Sequence, residues 1–226
     1  MYHIKNDKRA RASTELICAG LLACMKEKPF ARITITDVQR ASTVSRSTFY
    51  RNFDCLEDVL ALLCDRGFQA VFTEYNALPP EQRGSLAKAV FQYWFRNSAV
   101  LEALVQIHRT DILFDNLRRS SGLIQALQPM ADDPARFDYF VAIITSSMIG
   151  VLTVWVEHGK TETEDQMVQK LTSAFIEMAA HLVEMKSFLL LPRSEEGERM
   201  KQELTGQLIE YDQCRRMAAL LRAKGE

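Results

Sequence analysis

Apolar residues recur every three or four positions along most of the chain, and no two-residue alternation runs longer than a few positions. The elements this predicts are helices. The first spans about 9–28, with Ile17, Leu21, Cys24 and Met25 on one face and Pro29 as its stop. A short connector covers 30–34. A long helix spans about 55–77, capped by Asp54, with Leu56, Val59, Leu60, Leu63, Gly67 and Phe68 as its stripe before Pro79 and Pro80. Further helices are expected over 81–97, 99–108, 111–127, 134–158 and 164–190. The predicted fold class is all-α.

Segment 194–224 has a different texture. It is dense in charge, and Met200, Leu204, Leu208, Tyr211, Cys214, Ala218 and Leu221 follow one another at intervals of three or four, a narrow seam for an amphipathic helix. Such a helix packs on its own body, on a sister chain, or serves as an arm for a protein partner. Pro192 and the charged residues after it make a linker. Two stretches resemble membrane elements. Residues 2–24 place basic residues ahead of an apolar run, but Asp7 and Glu15 interrupt the basic part, which disfavours a signal peptide. Residues 139–156 carry no charge, yet Thr145, Ser146, Ser147, Gly150 and Thr153 dilute them and no Lys/Arg cluster flanks them, so a helix buried in protein or in a subunit interface is expected.

With 226 residues, 47% hydrophobic and 25% charged, the chain has the composition of a globular protein with a substantial core. Only 9 Gly and 6 Pro are present, too few turn residues for many short strands. The net charge of −1 conceals an asymmetry: residues 1–53 hold ten basic and four acidic side chains, a net of +6, leaving −7 for the rest. An anionic partner would therefore meet the N-terminal quarter. Five cysteines without a C-x-x-C pair indicate neither a disulfide framework nor a zinc site, which fits the cytoplasm. The expected organisation is 1–53 as the basic N-terminal domain, 54–192 as a helical body, and 193–226 as the amphipathic helix.

The informative stretch is 34–60. Thr36 and Asp37 can cap one short helix, Ser42-Thr43 makes a tight turn, and Ser45 caps a second. Val38, Val44, Phe49 and Phe53 hold the pair together from inside, leaving Arg46, Ser47, Thr48, Tyr50, Arg51 and Asn52 as a hydrogen-bonding cluster suited to the major groove. This is the pattern of a helix-turn-helix.

The stretch from Ile17 to Leu60 resembles the N-terminal domain of the TetR family of bacterial transcriptional regulators. A Thr-Val-x-x-Ile lead-in is matched by Thr34-Ile35-Thr36-Asp37-Val38, and a Val-Ser-x-x-Thr-Phe-Tyr-x-x-Phe core by Val44-Ser45-Arg46-Ser47-Thr48-Phe49-Tyr50-Arg51-Asn52-Phe53. The resemblance implies a homodimer binding double-stranded DNA at a palindromic operator, with recognition helices about 34 Å or a multiple apart. It implies base contacts by Arg46 and Ser47, thymine-methyl or backbone contacts by Thr48 and Tyr50, and mainly phosphate contacts by Thr34, Thr36, Arg51 and Asn52, with the cap Ser45 also counted among the DNA-binding residues. Lys5, Lys8 and Arg9 would add contacts from an N-terminal arm. Three positions depart from the family pattern: Thr43 replaces the turn glycine, Gln39 a small residue, and Leu56 a phosphate-binding lysine. Pro29-Phe30 resembles a Gram-positive subgroup, some of whose members act as co-activators through a protein partner, which is the alternative reading here.

Beyond residue 60 the resemblance is architectural. Ile149-Gly150-Val151 to Trp155 and Gly159, with the helix after Thr163, resembles the dimerising helix pair of that subgroup. A small-molecule effector is expected in the body, and Phe91, Trp94, Phe95, His108 and Met148 are the pocket candidates. His3, His108, His158 and His181 lack metal-ligand spacing, and no phosphate loop, nucleophile elbow or carboxylate pair stands out. No enzyme, metal or cofactor is expected.

Overall fold

The computed structural model describes residues 2–4, 7–128 and 136–184, which are entirely helical apart from turns. The helices are α1 (Lys8–Glu27), α2 (Ile35–Ser42), α3 (Arg46–Asn52), α4 (Leu56–Ala77), α5 (Leu86–Arg96), α6 (Ser98–Gln106), α7 (Thr110–Arg119), α8 (Ser121–Leu127), α9 (Phe137–Glu157) and α10 (Glu164–Glu184), with 3-10 turns at Phe30–Arg32 and Pro80–Gln82. The chain divides into two compact units, Met1–Met167 and Val168–Glu226. In the second unit the structure describes 168–184, the later part of α10. The C-terminal amphipathic segment lies outside the described residues.

In the first unit α1 packs on α2, α3 and α4, while α4 runs on to meet α5, α6, α7 and α8, and α9 packs on α6 and α7. The helix-turn-helix therefore rests on α1 and on the start of α4. Gly20 permits the α1–α2 contact: a Cβ there would lie 2.9 Å from Ser42 Cβ and 3.1 Å from the Val38 carbonyl oxygen. Arg66 of α4 adds a bidentate pair to Glu15 of α1, at 2.6 and 3.0 Å.

Three predicted elements differ in detail. The 111–127 helix is two helices, broken at Ser120, whose backbone is extended (φ −65°, ψ 115°). Packing explains the break: a Cβ on Gly122 would sit 2.4 Å from Phe72 Cβ, and the Gly122 carbonyl accepts from Asn76 Nδ2 at 2.9 Å, so α8 turns to press its backbone onto α4. The 81–97 helix starts only at Leu86, where Ser85 Oγ accepts from the Lys88 amide. The long helix has Cys55 rather than Asp54 at its N-cap, without a side-chain cap bond, and the Asp54 amide instead donates to Asp58 Oδ2 at 2.9 Å.

Thr43, between α2 and α3, is in the left-handed region (φ 57°, ψ 17°). A β-branched residue is strained there by about 1–2 kcal/mol, partly offset in a glycine by greater freedom of the unfolded chain. Thr43→Gly should therefore raise stability by about 0.5–1 kcal/mol, read as a higher denaturant midpoint at unchanged slope. A lower midpoint would show that the Thr43 hydroxyl bond to the Ser42 carbonyl (2.7 Å) outweighs the strain.

Candidate nucleic-acid interface

The interface is built on a small aromatic and aliphatic core. Val38, Val44, Phe49 and Phe53 are all buried, as the sequence pattern predicts, and Phe49 meets Phe53 with ring centroids 5.8 Å apart. A polar residue lies at each helix start. Ser45 Oγ accepts from the Thr48 amide (3.2 Å) and lies 2.9 Å from Thr48 Oγ1 and 3.1 Å from Ser47 Oγ, so it caps α3 as expected.

The cap of α2 is Thr34, not Thr36. Thr34 and Asp37 form a reciprocal capping box, in which Asp37 Oδ2 accepts from the Thr34 amide (2.8 Å) and hydroxyl (2.6 Å). Lys28 Nζ lies 2.7 Å from the same carboxylate. That lysine contact, then the Thr34 bonds, hold the Asp37 carboxyl well below the usual carboxylate range. Thr34 is exposed, but its hydroxyl already serves the cap, whereas Thr36 is exposed in the first turn of α2.

On α3, Arg46, Ser47, Tyr50 and Arg51 are exposed and Thr48 is half-buried. Asn52 corrects the expectation of a phosphate ligand. It is 1% exposed, and its amide donates to the Thr48 carbonyl (2.9 Å) and to Ser13 Oγ (3.4 Å), so it ties α3 to α1. Arg46 Nη2 lies 3.4 Å from Tyr50 Oη, and the guanidinium carbon is 5.6 Å from the Tyr50 ring centroid. Their spacing of four on one helix is the sequence signal for this pair.

Lys8 and Arg9 belong to the first turn of α1 rather than to an extended arm, and line a cleft of about 570 Å³ together with Thr48 and Arg51. The chain ahead of them is tethered: Tyr2 Oη donates to Asp65 Oδ2 (3.3 Å), and the His3 amide donates to the Asn52 carbonyl (3.0 Å). Lys5 lies outside the described residues. At the start of α4, Leu56 is buried, with Glu57 and Asp58 in the first turn, so this helix end offers no cation.

Of the effector candidates, Phe91, Trp94 and Phe95 lie on α5, Met148 lies on α9, and His108 lies in the turn before α7. Phe91 and Trp94 are fully buried, Trp94 edge-on to Phe68 at 5.2 Å. Phe95 stacks on Trp155 at 4.1 Å, Met148 is buried in α9, and His108 is exposed in the turn before α7 with φ 56°. Three surface clefts of about 570–620 Å³ are lined by none of the five. The Trp94 indole nitrogen and the Thr145 hydroxyl are buried without a hydrogen-bond partner, which a polar guest would satisfy. Burial pushes the Cys18 thiol up to about 11 and also raises Cys24, Cys55 and Cys64, so at neutral pH these four are thiols rather than nucleophilic thiolates.

No family model matches the chain, and no curated protein matches it in sequence. Solved structures do match. A TetR transcriptional regulator from Streptococcus agalactiae aligns with a TM-score of 0.52 at 19% identity, over 74% of this chain and 96% of its own. A TetR-family regulator from Syntrophomonas wolfei gives 0.54 at 17% identity, over 80% and 99%. Another from Streptomyces coelicolor gives 0.55 at 17%, over 92% and 99%. The chain has the TetR-family fold.

Proposed function

We propose, from that shared fold and the make-up of α3, that the chain is a DNA-binding transcriptional regulator of TetR type, acting in the cytoplasm as a homodimer on a palindromic operator and modulated by a small-molecule effector. The observation that carries this reading is the division of α3. Phe49 is buried and fixes the helix to its domain, while Arg46, Ser47, Tyr50 and Arg51 are presented outward from a helix seven residues long. Such a helix suits the major groove, where base edges and phosphates accept hydrogen bonds. Lys8 and Arg9 beside it add positive charge for the phosphate backbone, which supplies sequence-independent affinity. The unpartnered Trp94 nitrogen and Thr145 hydroxyl favour effector binding in the body.

The test is electrophoretic mobility shift on the DNA upstream of the protein's own gene. Sequence-selective binding is expected, and Arg46→Ala should reduce discrimination between this DNA and an unrelated duplex by about 1–3 kcal/mol, the worth of one bidentate arginine contact. Arg51→Ala should instead weaken binding to both duplexes alike. No shift at low salt would overturn the reading and favour an adaptor acting through a protein partner.

A further inference from the structure

We propose that Tyr50 is a positioning residue for sequence recognition, its ring serving as a shelf that holds the Arg46 guanidinium with its N–H fork presented to a guanine. The proposal rests on the DNA-binding reading above and adds to it which side chain sets the specificity of the reading arginine.

Residues four apart on a helix are neighbours on one face. Arg46 opens α3 and Tyr50 lies one turn later, with the guanidinium carbon 5.6 Å from the ring centroid, within cation–π range. The shelf is itself held in place. Tyr50 meets Phe49 edge-on, with centroids 5.6 Å apart and planes at 85°, and Phe49 is 1% exposed. Contacts therefore lead from the domain core through Phe49 and Tyr50 to the guanidinium. An exposed arginine otherwise samples many rotamers, and ordering it on binding weakens the contact it makes.

The contact does not consume the whole reading edge. A cation–π contact is made with the ring face, whereas bidentate recognition of guanine O6 and N7 uses the N–H groups at the guanidinium rim. One of those groups is 3.4 Å from the Tyr50 hydroxyl, a long hydrogen bond that a guanine acceptor displaces readily. Arg51, five residues from Arg46, lies on a different side of the helix and is not part of this cation–π contact. It serves as the internal control.

The experiment selects duplexes from a randomised pool with the full-length chain and measures the preference for each base at each position. Arg46→Ala, Tyr50→Phe, Tyr50→Leu and the Arg46→Ala/Tyr50→Leu double variant are then measured on the selected duplex and on its guanine-substituted versions. We expect Arg46→Ala to flatten a guanine preference and Tyr50→Leu to reduce that same preference by about two- to fivefold, matching an exposed cation–π contact. Tyr50→Phe, which keeps the ring face, should retain the preference whatever affinity is lost with the hydroxyl. In the Arg46→Ala background Tyr50→Leu should change nothing further at that base pair, as coupling requires. Tyr50 is 42% exposed, so a thermal melt of Tyr50→Leu should match the parent and exclude misfolding as the cause.

The proposal is overturned if Tyr50→Leu weakens all duplexes equally, alters preference at another base pair, or leaves the guanine preference intact. It also falls if Arg46→Ala flattens no position. Enrichment by the parent chain with an unaffected Tyr50→Leu preference sinks only this inference. No enrichment by the parent chain sinks the DNA-binding reading, and this inference with it.

Discussion

Replacing Phe49 with alanine is expected to destabilise the protein by about 3–5 kcal/mol, the usual cost of deleting a buried phenylalanine ring. Native domains are stable by only about 5–15 kcal/mol, so this single change removes a large share. Phe49 is 1% exposed in a domain whose buried apolar set between residues 30 and 53 is short: Phe30, Ile33, Val38, Val44, Phe49 and Phe53. The ring also supports Tyr50 edge-on, so the exposed face of α3 loses its footing together with the core. Denaturant titration followed by circular dichroism checks the stability, and mobility shift checks DNA binding, which should fail at temperatures where the parent still binds. Phe49→Leu separates volume from ring-specific contact. A swap that roughly conserves volume usually costs below about 1.5 kcal/mol, so this variant should remain folded. An alanine cost below about 1 kcal/mol would show that α3 is held by something other than this core.

The features that were legible in the sequence are those set by local period and by local chemistry. The four buried residues of the helix-turn-helix follow from spacing, and the Ser45 cap follows from a short side-chain oxygen placed just ahead of a helix. Where two local solutions compete, sequence reasoning picks by proximity. Thr34 and Thr36 are both able to cap α2, and the decision falls to Thr34 because Asp37 stands three residues after it and can return the bond. Where the deciding partner is remote in sequence, the residue itself carries no signal. Asn52 reads as a polar surface residue until Ser13, 39 positions away, is brought beside it. The break at Ser120 is followed by Gly122, but what makes that glycine decisive is Phe72 on another helix, about fifty residues earlier in the chain. The five effector candidates are large side chains in the body, a property that ordinary core packing shares, so residue type alone does not separate a pocket wall from the core.

Introducing a charge on the outer face of α9 is expected to split the proposed homodimer and, with it, the proposed operator binding. This helix has the length and apolarity of a membrane span, with a mean hydropathy of 1.9 over its most apolar window. One face belongs to the body: Val141, Thr145, Met148, Ile149, Leu152 and Trp155 are buried, and the Trp155 nitrogen donates to the Glu162 carbonyl at 3.2 Å. The other face is uncovered, with Tyr139 75%, Ile143 55% and Val154 47% exposed, and Ser146 and Gly150 exposed between them at intervals of three or four. A helix that is apolar all round belongs in an interior, and an uncovered apolar patch rimmed by polar residues marks an interaction surface. Nothing lies within 4 Å of a Cβ built on Gly150, so the body places no demand on this glycine, while a partner helix could approach closely over it. A second copy meeting the same face about a two-fold axis satisfies both helices at once.

Ile143→Glu and Val154→Glu would each bury a carboxylate in that seam, whereas in a monomer both carboxylates remain in water. Sedimentation should therefore show a dimer for the parent and a monomer for the variants, with unchanged circular dichroism. Linking two half-site contacts raises apparent affinity by about 10²–10⁴ without a new contact, so loss of the dimer should weaken operator binding by that factor. Arg46→Ala differs in kind, lowering discrimination while the protein stays dimeric. If both glutamate variants sediment as the parent does, α9 is not the two-fold interface and the spacing of the recognition helices must be set elsewhere.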